Sequence, residues 1–502
     1  MKAKQKRLLT ISYMAVIFFM VLYVALNKHV SNLDEIWNFN IAKEIVKGNI
    51  PYKDISLITT PLFYYIVAIP LKLIANELIV YRVLEAVIIT VMLYLTFKIF
   101  QKINKNEFIP YVLLSIMCLF IKQILALNYN FLVVLWVLII IDLEISELDK
   151  NKIWYNLVIG LLAGVAILTK QTAGAFIALF SVILVILDCN SKKELKQSIK
   201  NIAFRILGIM IPVAIFVIYL LITNSLNDFI SYTILSISTF NNKIGIARYF
   251  NSSEFKFKAI QIGLYGLAIV GIVYELIIRI LNRKPCRVVK LINYAIPLMI
   301  LIYPIADDEH FVLGFFVWAI IGLIEIVNIL EKAKDTAKSK ILDFLISFLV
   351  IFVTLLSMYK IAFEIYTNMK QYNEAQKNNE FKYYKELIVS DGIKERVKIC
   401  SDLYEKYKSE GKELVILDAE AAPYLLPTDS YRKNYDMFNK GNFGKDGEQG
   451  IINQIKNDTN KVYLVKQENN ALNWQTPIDV IKYVRANLDK KGSVLYFDIY
   501  EK

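Results

Sequence analysis

The sequence predicts an α-helical polytopic membrane protein of about eleven spans, followed by a small C-terminal α/β extracytoplasmic domain. Three observations carry this. Hydrophobic residues make up 56% of the 502 positions and mean hydropathy is +0.45, where soluble globular chains run at roughly 45–50% apolar. Long apolar runs recur throughout residues 1–361. The net charge of +13 lies wholly in that part, because the 22 basic and 22 acidic residues from Ile361 onward cancel. A nucleic-acid binder would concentrate its charge on a soluble face, so that class is excluded. Of four cysteines only Cys400 lies in the C-terminal part, which excludes a disulfide-stapled ectodomain.

Runs near the roughly 17–25 residues that cross a bilayer lie at 8–27, 82–100, 108–125, 130–146, 154–169, 173–188, 202–223, 259–281, 291–305, 311–330 and 341–361. The first follows Lys2, Lys4, Lys6 and Arg7. It is long for a signal peptide and lacks a small-x-small cleavage site, so it reads as an uncleaved anchor. Orientation follows from the basic bias of short cytoplasmic loops. With the N-terminus inside, the cytoplasmic face receives the N-terminal tail and the groups at 98–105, 150–152, 192–205, 279–290 and 332–340. Together these hold 23 of the 36 basic residues before Ile361. The turns around Asn128, Lys170 and Asp307 hold almost none. The alternation requires that Leu62–Ala75, short and interrupted by Pro70 and Lys72, does not cross. It reads as re-entrant or interfacial, and the C-terminal part then lies outside the cell membrane.

The domain boundary falls at 361/362. Beyond it Glu380–Glu410 reads as a helix, Glu413–Asp418, Lys461–Lys466 and Ser493–Tyr500 as strands, and Pro477–Leu488 as a helix. Asn368–Asn379 is the nearest approach to a linker. The glycine-rich Gly441–Gly450 lacks the strand that leads into a phosphate-binding loop and reads as a plain loop.

The first outer loop, residues 28–81, is the longest polar insertion of the membrane part. Leu33, Ile36, Trp37, Ile41 and Ile45 recur at helical spacing, which predicts an amphipathic helix at the interface. Ser31 or Asn32 caps its start, and Gly48 with Pro51 ends it. Asp34 and Glu35 in its first turn complement the helix dipole. Tyr52, Tyr64, Tyr65 and Tyr81 read either as an interfacial aromatic belt or as a sugar-stacking surface. The outer segment 224–258, with Tyr232, Arg248 and Tyr249, is long enough to cover a cleft. His29 sits near the outer end of the first span and meets headgroups.

The order of these groups has a family likeness. Asp34-Glu35 after the first span, Gly48-x-x-Pro51-Tyr52-x-Asp54, Pro61-Leu62-x-Tyr64-Tyr65 and then Arg82 opening the next span resembles the first-loop signature of the GT-C glycosyltransferases. More narrowly it is similar to the branch of protein O-mannosyltransferases and lipid A aminoarabinose transferases. Leu168-Thr169-Lys170-Gln171-Thr172-Ala173-Gly174 resembles the family's lysine at an outer helix end. Tyr303-Pro304-Ile305-Ala306-Asp307-Asp308-Glu309-His310 resembles a later outer-loop segment. The chain departs at Thr59-Thr60-Pro61, where many relatives carry a basic residue and two prolines. It departs again at Asn128-Tyr129-Asn130, where relatives tend to have an acid or an arginine.

The resemblance implies single-displacement, inverting sugar transfer from a polyprenyl-phosphate donor to a hydroxyl of a glycan, protein or cell-wall polymer. Asp34 would be the general base, with Glu35 positioning it or binding the sugar. Lys170 and Arg82 would stabilise the leaving phosphate; their plainer readings are a snorkelling side chain and an interfacial anchor. Tyr52, Asp54, Tyr64, Tyr65, Gln171, Asp308 and His310 would line the substrate site. One carboxylate suffices, since a lipid phosphate leaves unprotonated, in contrast to the acid pair of glycoside hydrolysis. Asp307–His310 offers hard oxygen ligands and an imidazole, but consecutive residues cannot all face one ion, so no metal or other cofactor is expected. The expected partners are the lipid-linked sugar, its acceptor and membrane lipids. A transporter or flippase is the alternative. Those proteins place charges within spans and break helices in matching halves, whereas here polar residues gather on one face of the membrane.

Overall fold

The computed structural model describes residues 3–30, 33–104, 106–118, 126–146, 150–187, 192–236, most of 262–273, 287–303, 307–337, 377–467 and 476–502. The expectations for Ser31, Asn32, Pro304–Ala306, Arg248, Tyr249, the span at 341–361, most of that at 259–281 and most of the 368–379 linker lie outside these residues.

The membrane part is a helical bundle. It comprises α1 (Ala3–Asn27), α2 (Leu33–Val46), α3 (Leu62–Leu73), α4 (Leu78–Ile103), α5 (Ile109–Cys118), α6 (Tyr129–Glu144), α7 (Ile153–Thr169), α8 (Gln171–Leu187), α9 (Lys192–Ile222), α10 (Arg287–Leu298), α11 (Asp308–Gly314) and α12 (Phe316–Ala337). Among the described residues, α1, α4 and α9 are long and apolar enough to cross a membrane by themselves. At 12 residues α3 is about 18 Å long, well short of a ~30 Å hydrocarbon core.

Helix α7 packs on α9 through glycine. A Cβ at Gly160 would lie 2.1 Å from the Arg205 carbonyl oxygen, one at Gly164 2.4 Å from Pro212 Cγ, and one at Gly208 2.3 Å from the Leu157 carbonyl oxygen. Gly160-x-x-x-Gly164 therefore brings two backbones into contact, the usual device for helix association in lipid. The basic groups converge at one end of the bundle. Lys98 and Lys102 bond Asp142 at 2.9 and 2.6 Å. Arg205 pairs with Glu144 at 3.0 Å, and Lys290 donates to the Glu144 carbonyl oxygen at 2.6 Å.

The C-terminal domain has one four-stranded sheet, of β3 (Glu413–Ile416), β4 (Lys461–Lys466), β5 (Asp489–Val494) and β6 (Phe497–Glu501). Their order is β3-β4-β6-β5, with β3 and β4 parallel and the rest antiparallel. Helices α13 (Asp391–Ser409), α14 (Gly447–Asn457) and α15 (Ile478–Asn487) accompany it. Two expectations need correction. The helix expected from Glu380 begins at Asp391, because β1 (Lys377–Asn378) and β2 (Leu387–Ile388) form a small antiparallel pair before it. The strand expected at Ser493–Tyr500 is a hairpin, turned at Leu495 with φ +52°.

The first outer loop is wrapped rather than displayed. Helix α2 ends in a Schellman motif, with Gly48 at φ +101° and bonds from Gly48 N to Ile45 O (3.0 Å) and Asn49 N to Glu44 O (3.1 Å). Glu35–Glu44 are all buried, which corrects the expectation of an interfacial helix with one wet face: the C-terminal domain covers it. Trp37 donates to the Ala419 carbonyl oxygen at 3.2 Å and Asn40 to Asp436 at 3.3 Å. Lys43 lies 3.8 Å and Lys47 2.5 Å from Asp429. These four recur every three to four residues, one stripe of the helix. The glycine-rich loop serves this docking. Lys445 N donates to Ser231 Oγ at 3.1 Å, and Gly444 rests against the same hydroxyl.

Candidate active site

Three chain segments meet at the N-terminus of α2. Asp34 lies in its first turn, partly buried, and its carboxylate has no hydrogen-bond partner among the described residues. Burial raises its pKa above the ordinary carboxylate value; His310 draws it back and Asp307 pushes it up again. Asp307 caps α11, accepting from the His310 backbone N–H at 2.8 Å and meeting His310 Nδ1 at 2.7 Å. Burial would raise the Asp307 carboxyl too, but the His310 bonds outweigh it and the group is lowered. Glu309 beside it is held well above its usual value, first by burial and then by Asp34 and Asp307. It accepts a hydrogen bond from Asn128 Nδ2.

Asn128 brings in the third segment, the start of α6. It is the N-cap, with Oδ1 accepting from Asn130 N at 2.9 Å. Tyr129, which follows it, lies within electrostatic reach of Asp34 and Glu309, and Tyr64 of α3 likewise faces Asp34. Over the Tyr129 ring, 5.3 Å from its centroid, sits the Lys170 ammonium. Lys170 occupies the one-residue turn between α7 and α8, extended at φ −152° and ψ 109°. Gly174 makes that turn sharp enough, since a Cβ there would lie 2.2 Å from Ile167 N. Trp136 Nε1 clamps it from α6 through Thr169 Oγ1 at 3.0 Å. Lys170 is 8% exposed and its ammonium donates to Asn130 Oδ1 at 3.0 Å. It makes no ion pair among the described residues, and burial brings its pKa down to about 8.

The structure thus places Lys170 over Tyr129, and Tyr129, Tyr64 and His310 within electrostatic reach of Asp34. Asp308 opens α11, but its side chain lies outside the described residues. Glu35 and Arg82 stand behind this group, both fully buried. Arg82 Nε and Nη2 each bond Glu35 at 2.9 Å, and Nη1 and Nη2 donate to the Lys28 and His29 carbonyl oxygens. Four of the five guanidinium donors are therefore engaged. Lys28 adds a second cation, 2.9 Å from Glu35 and 2.8 Å from Glu85. Burial alone would raise the Glu35 carboxyl; Arg82 and Lys28 together hold it below its usual value.

The remaining expected site residues lie apart from Asp34. Buried Tyr52, at φ +69°, donates to the Thr59 carbonyl oxygen at 2.9 Å. Asp54 is exposed and closes the same turn through Ile50 N at 2.9 Å. Gln171 ties α8 to Ile58 O and Thr60 N. Tyr65 meets the Tyr219 hydroxyl at 2.8 Å. Asn128, Asn130 and Glu309 were not singled out by the sequence as site residues. The Asn-x-Asn before the apolar run of α6 is the signal that marks the first two. Among the described residues no three His, Cys, Asp or Glu side chains are arranged to hold a metal ion.

Residues 59–219 match the family model described as dolichyl-phosphate-mannose-protein mannosyltransferase. No curated protein sequence matches the chain. Among solved structures it is similar to ArnT from Cupriavidus metallidurans bound to undecaprenyl phosphate, with TM-score 0.54 and 12% identity over 98% of this chain and 97% of that one. The chain has the fold of a GT-C membrane glycosyltransferase. The oligosaccharyltransferase from Archaeoglobus fulgidus, solved with zinc and sulfate, aligns with TM-score 0.44 and 11% identity. That alignment covers 82% of this chain, which spans 61% of that protein's length. The region matched by the family model runs from the Thr59 turn into α9, and so includes Arg82, the start of α6 and Lys170.

Proposed function

We propose that the protein transfers a sugar from a polyprenyl-phosphate-linked donor to an acceptor hydroxyl at the outer face of the cell membrane. One juxtaposition supports the reading: the Asp34 carboxylate, with no hydrogen-bond partner among the described residues, lies within electrostatic reach of Tyr129, and the buried Lys170 ammonium, without an acid partner among the described residues, sits over the same ring. Such a pair suits a displacement that needs a base at one end and a cation at the other. Asp34 takes the acceptor O–H proton as that oxygen bonds the anomeric carbon. The bond from that carbon to the phosphate oxygen breaks, and the electron pair leaves on polyprenyl phosphate beside Lys170. One displacement inverts the anomeric centre. Arg82 and Glu35 hold α2, and with it Asp34, against α4, and Tyr64 and His310 line the acceptor side.

Two observations support the lipid donor and the sidedness. The structurally similar ArnT was solved with undecaprenyl phosphate. The basic groups at 98–105, 192–205 and 279–290 meet at the bundle end marked by Asp142 and Glu144, as an N-terminus-inside orientation requires. The test supplies purified protein in lipid with radiolabelled polyprenyl-phosphate hexoses or pentoses and crude envelope acceptors. Sugar release by wild type and its loss in Asp34→Asn support the proposal. Equal release by both removes Asp34 from the mechanism, and no release from any donor overturns the enzyme reading.

A further inference from the structure

The Lys170 ammonium can only donate, so the atom it bonds on Asn130 must be the amide oxygen. That bond, 3.0 Å long, fixes which way the amide faces and turns its NH2 away from the lysine. Asn130 is 1% exposed, and its Nδ2 has no hydrogen-bond partner among the described residues. A buried amide N–H2 left unmade costs on the order of 1–3 kcal/mol. A second observation points the same way. Asn130 lies in the first turn of α6, a 16-residue helix, and so at its positive dipole end. A cation, an amide donor and a helix start thus converge on one point, with no carboxylate paired to the cation among the described residues. Glu309, an acid of the same cluster, is bonded to Asn128. The two asparagines divide the labour, Asn128 holding the acid and Asn130 the cation. The Thr60 hydroxyl offers no donor in their place. Thr60 Oγ1 is bound to the Ile167 carbonyl oxygen at 2.7 Å, and Thr59 Oγ1 meets the Tyr64 hydroxyl at 3.4 Å.

We infer that Asn130 is a phosphate-binding residue: its side-chain N–H2, oriented by Lys170, hydrogen-bonds an oxygen of the lipid-linked phosphate that Lys170 neutralises. The inference rests on the donor proposed above and names a contact within that site. It makes the seat bidentate, with one ammonium and one amide donor, and so favours a phosphate with two free oxygens facing the start of α6.

The experiment measures equilibrium binding of undecaprenyl phosphate to the full-length protein in phosphatidylcholine nanodiscs, for wild type, Asn130→Ala and Asn130→Asp. Loss of one charge-assisted hydrogen bond weakens binding about tenfold in Asn130→Ala. Asn130→Asp keeps the shape and the oxygen that Lys170 bonds, but sets a carboxylate against the phosphate and weakens binding further. Being isosteric, it decides the matter if the alanine variant does not fold. Both variants binding within twofold of wild type overturns the inference and leaves the donor reading intact. Absence of saturable binding by wild type overturns the donor reading and this inference with it. A competition arm separates the sources of phosphate. Displacement by the polyprenyl phosphate but not by phosphatidylglycerol or inorganic phosphate supports a seat for the donor. Equal displacement by either competitor overturns it in favour of a general headgroup or free-anion site.

Discussion

Arg82 and Glu35 form a two-point ion pair, both contacts 2.9 Å long and neither side chain exposed. The pair joins the start of α4 to the first turn of α2, one residue beyond Asp34. It acts on the chemistry through position, because nearly every guanidinium donor is engaged. Arg82→Ala takes the two-point partner from a buried carboxylate, and removing one partner of such a pair costs about 3–5 kcal/mol. The expected result is a large fall in the yield of folded protein and in thermal stability. A normally stable Arg82→Ala protein with only weakened donor binding would return Arg82 to the phosphate site.

Asp34→Asn should lower turnover by about 10²–10⁴-fold, the range for loss of a general base, without lowering thermal stability. The sign follows from the raised pKa of Asp34. A folded state that binds the proton more tightly than the unfolded chain loses stability as pH rises from the unfolded pKa through the raised folded one. Asparagine removes the charge responsible. Thermal unfolding should give an equal or higher midpoint for Asp34→Asn at neutral pH. A large drop would make the residue structural.

The pH profile of kcat/KM should be bell-shaped. Activity needs ionised Asp34, so the acid limb lies above the usual carboxylate range. It also needs protonated Lys170, whose ammonium is brought down to about 8, so the alkaline limb lies near that value. Lys170→Arg carries a cation that stays charged throughout this range and should lose the alkaline limb while weakening donor use. An unchanged limb in that variant would assign it to another group.

Gly160→Ala puts a methyl group where backbone already lies, 2.1 Å from the Arg205 carbonyl oxygen. Separating α7 from α9 to admit it costs about 1–3 kcal/mol and tilts the turn that carries Lys170. Reduced thermal stability together with weaker donor use is the expected outcome. Wild-type values for both would show the contact to be slack.

The bundle, the short α3 and the end of α2 were legible because each depends on local pattern: apolar run length, a proline-interrupted stretch, and Gly48 before Pro51. The places of Asp34 in the first turn of α2 and of Lys170 between α7 and α8 were legible through motif order. Three things were not. The burial of α2 depends on residues such as Ala419 and Asp429, which meet Trp37 and Lys47 across 382 positions of sequence, and no periodicity reports such a partner. The roles of Asn128 and Asn130 arise from what faces them, Glu309 and Lys170, rather than from their own spacing. Arg82 reads alike as anchor or phosphate ligand until Glu35 is seen beside it. The start of α13 and the β5–β6 turn were missed because residues at positive φ, Tyr383, Glu386 and Leu495, carry no strong turn chemistry in their side chains.

The stripe Trp37, Asn40, Lys43 and Lys47 has a consequence for how the protein comes into being. The helix that presents Asp34 leaves the ribosome among the first fifty residues, yet the groups that cover it lie between Ala419 and Asp436. Contacts so far apart in sequence form late. Until those residues are made, the face of the helix that carries Asn40 and Lys43 lacks the cover that buries it in the finished protein. A chain that stalls before residue 419 therefore keeps the Arg82–Glu35 tie between α2 and α4 but leaves the face from Trp37 to Lys47 uncovered.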